Sequence, residues 1–123
     1  MKYALLVYAD QSAFSSMTAS EAAAAREASL PRWYALFEEL GKVDANATGL
    51  ELEAPAEARV VRVRDGRTLI TDGAFAETKE AVGGLFLAEL PDLDEAIRLA
   101  ALVPTAEVGS LEIRPVVDHE AAA

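Results

Sequence analysis

Two stretches of the chain are apolar on both sides of an extended strand. In Lys2 to Tyr8, Tyr3, Leu5 and Val7 fall on one side and Ala4, Leu6 and Tyr8 on the other. In Gly84 to Leu90, Phe86, Ala88 and Leu90 oppose Leu85, Leu87 and Glu89. Between and after them the period changes to that of a helix. Thr18-Ala19-Ser20-Glu21 has capping-box spacing and opens a helix through the Ala22 to Ala25 run. Pro31 removes a backbone donor, which predicts a kink or a break into two helices near Ser29. Trp33, Leu36, Phe37 and Leu40 then form an i, i+3, i+4, i+7 stripe that places Trp33 and Phe37 in the core, with Gly41 as the stop. A second helix starts at Asp92, capped by the Asp92/Glu95 spacing. It carries Leu93, Ala96, Ile97, Ala100 and Ala101 on one face and ends before Pro104.

The remaining segments read as strands. Val43 to Leu52 is a weak one, interrupted by Asn46 and Gly49. Arg59 to Arg64 and Arg67 to Asp72 flank Asp65-Gly66, a two-residue hairpin signal. Ser110 to Val117 is the last strand, and 118–123 reads as a frayed, disordered tail. The order is β-α-β-β-α-β with an extra hairpin, an α+β chain of ferredoxin-like type in one domain spanning 2–117.

Two helices cover one face of such a sheet. The second apolar face of the Tyr3 and Leu85 strands therefore calls for another cover, and a second copy of the chain is the expected one. Sheets closed face to face make a barrel able to hold a small ligand. The sequence thus predicts a homodimer, the alternative being a ligand pocket under an open sheet.

Charge and composition narrow the partners. A net charge of −10 and a pI near 4.5 disfavour nucleic acid and anionic membranes. No apolar stretch is long enough to span a bilayer. The short apolar start ends at Asp10 and reads as a strand, not a signal peptide. The absence of cysteine excludes disulfides and thiolate chemistry and fits a cytoplasmic setting. There is no Gly-rich phosphate loop and no Ser-His-Asp set, so no cofactor is implied.

Over nearly its whole length the chain resembles the YCII-related family in its branch with the "DGPF" signature. The segment Asp72-Gly73-Ala74-Phe75-Ala76-Glu77-Thr78-Lys79-Glu80 carries the likeness. Gly83-Gly84-Leu85-Phe86, Asp92 to Ala96, Pro104 and Gly109 to Pro115 follow in the family's order, and Leu5 to Tyr8 and Trp33 fit its first half. Ala74 stands where the signature has proline, which leaves that loop freer. The resemblance implies the dimeric α+β barrel fold. It also implies a His–Asp catalytic pair, which this chain lacks, since its one histidine is His119 in the tail. Relatives of the DGPF type are encoded beside extracytoplasmic-function sigma factors, which implies a signalling role.

The candidate chemistry is carboxylate and arginine chemistry. Asp72 and Glu77 are candidate acid–base groups at a pocket rim, with Phe75 and Lys79 lining it. The plainer reading makes that segment a connection with caps and solvated charges. Glu112 and Arg114 share a face of the last strand with Ser110. They either hold an anionic ligand, with Arg114 as the catalytic or binding cation, or pair with neighbouring charges. Tyr8, at a strand end, is a candidate pocket wall. Arg59, Arg62, Arg64 and Arg67 make the hairpin basic, as an anion site or as a charged edge. Asp92, Asp94 and Glu95 read as helix caps, not as a metal site with Glu77. Three functions follow: a small-molecule-binding domain with a regulatory role, a cofactor-free enzyme using Asp72, Glu77 and Arg114, or a dimerisation and signalling module.

Overall fold

The computed structural model describes residues 1–10, 16–73 and 80–120. Strand β1 (Lys2–Asp10) leads to helix α1 (Ala19–Val43) and strand β2 (Thr48–Glu51). The hairpin β3 (Arg59–Arg64) and β4 (Arg67–Asp72) precedes β5 (Glu80–Glu89), helix α2 (Leu93–Leu102) and β6 (Ser110–Pro115). The four long-range strands form one antiparallel sheet in the order β2-β5-β1-β6, and the hairpin is a separate two-stranded sheet. This is the ferredoxin-like α+β arrangement expected, with the hairpin inserted before β5.

Both helices lie on the side of the sheet where Tyr3, Leu5, Val7, Phe86 and Ala88 point. Leu36 and Leu40 of α1, Ala96 and Leu99 of α2, and Val103 complete that core. Leu99 is fully shielded, so its truncation opens a cavity that the surrounding core cannot close. Gly49 on β2 sits beneath the Phe86 ring; a Cβ there would lie 2.5 Å from a ring carbon. Trp33 and Phe37 pack tilted against Phe86 with centroids 6.4 and 6.2 Å from its ring, and 6.1 Å from each other. Phe37 is 48% exposed, so it forms the outer rim of the core and not its interior, contrary to the stripe reading. The stripe is buried at Leu36 and Leu40 because those two face the sheet.

Helix α1 is continuous through Pro31, so the expected break into two helices does not occur. Pro31 is exposed, so the carbonyl it deprives of a partner can turn to water. The capping box forms as read: Glu21 N–H donates to Thr18 Oγ1 at 3.1 Å and Thr18 N–H to the Glu21 carboxylate at 3.5 Å. Gly41 does not end the helix. Asp44 does: its N–H donates to the Leu40 carbonyl, and its carboxylate accepts from Asn46 N–H and from Glu89 N–H, each at 2.9 Å. That turn takes Val43 to Ala47 out of the expected strand and leaves β2 with four residues.

The hairpin boundaries match the sequence reading. Asp65 (φ 52°) and Gly66 (φ 73°) both adopt the left-handed conformation that a type I′ turn requires. Asp92 caps α2 by accepting from Glu95 N–H at 2.9 Å, and Pro104 opens a short 3₁₀ turn beyond it.

Leu99→Ala is expected to cost about 2–5 kcal/mol, read by urea denaturation. Asp44 gives an acid-dependent test. Its bonds to the Glu89 and Asn46 amides hold its carboxyl below the usual range. The stability it supplies is therefore complete above the unfolded aspartate value and is lost as pH falls through the depressed one. Asp44→Asn is expected to flatten that acid limb in pH-dependent unfolding. A residual limb will remain from Glu95, which Arg98 holds low by a side-chain hydrogen bond.

Candidate functional site

The sheet face away from the helices carries Ala4, Leu6 and Tyr8 from β1. Leu6 pairs across to Leu85 and Glu112, Ala4 to Leu87 and Arg114, and Leu50 to Leu85. Ala4, Leu6, Leu85 and Leu87 are half-buried and Leu50 is 54% exposed, so one chain leaves this apolar strip uncovered. The two-sided strand pattern is thus reproduced in the register of the sheet.

The strip ends in a polar cluster. A bulge shifts the register of β1 against β5: Val7 faces Gly84 but Tyr8 faces Val82, so Gly83 is an extra residue on β5. Tyr8 also pairs with Ser110, and Asp10 with Glu80. The Tyr8 hydroxyl donates to Glu112 Oε1 at 3.2 Å. The Ser110 hydroxyl donates to the Glu80 carboxylate at 3.0 and 3.3 Å. Burial raises the Tyr8 phenol above its ordinary value, and the charge and hydrogen bond of Glu112 raise it further; Arg114 opposes both. Tyr8 is therefore a protonated hydrogen-bond donor at neutral pH, not a base.

The expected site residues separate into three groups. Tyr8, Glu112 and Arg114 are brought together on the open face. Asp72 closes the hairpin through an ion pair with Arg59 Nε at 3.1 Å and is 86% exposed. Phe75, Glu77 and Lys79 lie outside the described residues. Glu80 and Ser110 join the cluster although the sequence reading made Glu80 a solvated charge. The signal for them was register, because Ser110, Glu112 and Arg114 alternate on one face of β6 and that face meets Tyr8. Among the described residues no group of acidic or histidine side chains is arranged to hold a metal ion, and no helix is long and apolar enough to cross a membrane.

An antiparallel sheet with two helices on one side, and an apolar strip leading to a tyrosine–carboxylate cluster on the other, defines a small ferredoxin-like α+β domain. The chain matches the YCII-related domain over residues 1–120, and it belongs to that family. An uncharacterized protein of Rhizobium meliloti (strain 1021) is 34% identical to it over 119 residues, covering 94% of this chain and 91% of the relative.

Ultraviolet titration of the phenols tests the cluster. The chain has three tyrosines, and one transition is expected above the ordinary tyrosine range. Tyr8→Phe should remove that transition, and Glu112→Gln should move it downward. Because the folded value is raised, Tyr8 should also cost stability as pH climbs past the unfolded value, less so in Glu112→Gln.

Proposed function

We propose that this chain is a homodimeric small-molecule-binding domain of the DGPF type, without a bound cofactor and with a regulatory role. Two copies pair through their open sheet faces and enclose a small organic molecule. Its apolar body rests on Leu6, Leu85 and Leu87, and its polar or anionic group meets Tyr8, Glu112 and Arg114. The observation that carries this reading is the half-exposed apolar strip running directly into the Tyr8–Glu112 cluster. A lone sheet of this kind ordinarily shows water a polar face. Pockets for small molecules combine an apolar lining with a few convergent polar groups. Binding is favoured over carboxylate acid–base catalysis because Asp72 is engaged in an ion pair at the hairpin and Tyr8 stays protonated.

The wild-type protein is expected to sediment as a dimer at micromolar concentration and Leu6→Glu as a folded monomer, since a carboxylate in the buried face lacks a partner. A Leu6→Glu protein that remains a dimer would show that another surface joins the copies. Benzoate, carrying an apolar ring and one carboxylate, serves as the ligand probe. Amide shifts in the NMR spectrum should concentrate at Leu6, Tyr8 and Glu112 and disappear in Arg114→Gln. Shifts elsewhere, or none, would remove the binding site from this face.

A further inference from the structure

The turn of the hairpin sets two arginines against each other. Asp65 and Gly66 close a two-residue loop, so register pairs Arg64 directly with Arg67 across the strands. Their Cβ atoms are then about 5 Å apart on one side of the ribbon. Arg62, which pairs with Leu69, falls on that same side two residues along, while Val61, Val63 and Ile70 fall on the other. Like charges placed directly opposite each other destabilise a hairpin. The chain has 21 acidic residues against 11 basic ones, so carboxylates to relieve this pair are plentiful. They are placed elsewhere: Arg26 pairs with Glu51, Arg32 with Glu107, Arg59 with Asp72 and Arg98 with Glu95. Among the described residues no carboxylate forms an ion pair with Arg64 or Arg67, and Asp65 in the turn between them pairs with neither. The Arg64 guanidinium donates to the Val63 carbonyl at 3.0 Å, and both arginines are exposed.

We propose that Arg64 and Arg67 form a binding site for a compact phosphate group, separate from the open-face site. One guanidinium fork already satisfies a carboxylate with two parallel hydrogen bonds. Two forks from neighbouring strands supply more donors than a carboxylate can accept. They match an oxyanion with three terminal oxygens and up to two charges. Charge also selects a small ligand. A net charge of −10 repels long polyanions such as nucleic acid and anionic membrane surfaces. Screening over about 8 Å leaves a compact ion at the turn subject to the arginines beside it and not to the distant carboxylates. The ion also cancels the repulsion that the pair carries when empty, so binding and hairpin stability favour each other.

The test titrates inorganic phosphate, then phenyl phosphate, into ¹⁵N-labelled protein, with sodium chloride and sodium acetate at equal ionic strength as controls. Saturable amide shifts are expected at Arg64, Gly66 and Arg67 with the phosphates and not with the controls. Arg64→Gln and Arg67→Gln should each weaken binding roughly tenfold. Both positions are exposed, so circular dichroism should report an intact fold. Phosphate should raise the thermal midpoint of the wild type and leave that of Arg67→Glu unmoved. Tighter binding of phenyl phosphate marks a small phosphate ester as the ligand, and equal affinity marks the free ion; either supports the site. Shifts that chloride or acetate reproduce, or binding unchanged in both glutamine variants, overturn it. Shifts confined to Tyr8, Glu112 and Arg114 also overturn it and assign the anion to the open face. Tighter saturable binding of duplex DNA or of phosphatidylserine vesicles at physiological salt overturns the small-molecule assignment.

Discussion

The sheet of this protein has two sides and the chain has helices for only one. Leu5 at the centre of β1 is sealed by α1 and α2, together with Phe86 and Ile113 on the strands beside it. One residue along, Leu6 lies between Leu85 and Glu112 with no helix above it. Burying apolar area contributes about 25 cal/mol per Å², so an open strip of leucines is a standing drive toward association. The single-chain fold is stable because one side is filled.

That asymmetry also explains why the polar cluster is where it is. The Gly83 bulge changes the register at Tyr8, just where the apolar strip runs out. Beyond that point the pairs include Tyr8 with Ser110 and Asp10 with Glu80, side chains capable of hydrogen bonding. Segments distant in sequence meet there: the first strand, the start of β5 and the start of β6. Each supplies one member through ordinary strand alternation, and none requires a strained backbone. Binding surfaces placed on strands in this way are held more rigidly than those on loops.

The features legible in the sequence were those whose physics is local. Asp65-Gly66 determines its hairpin because a type I′ turn needs two residues tolerant of positive φ, and no distant contact alters that need. Thr18 with Glu21 and Asp92 with Glu95 form their caps for the same reason. Errors came where a distant partner decides. Pro31 lies on the exposed side of a helix that Leu36 and Leu40 anchor to the sheet, so tertiary packing carried the helix through it. Gly41 was passed over because Asp44, three residues on, has the Glu89 amide to bond. The Arg59 partner of Asp72, set by hairpin register, is likewise not legible in the motif.

Association of such an acidic chain depends on where its charge lies more than on how much it has. At physiological salt the screening length is about 8 Å, so most of the carboxylates on one copy are invisible to the other. Only groups at the contact matter. On the open face these include Glu80 and Glu112, with Arg114 as the opposing charge beside them. Two such faces brought together without further cations would set carboxylate near carboxylate at the very end where Tyr8 sits. Arg114, on the same strand face as Glu112, is the cation in place to offset that charge, beside the leucines that supply the apolar drive.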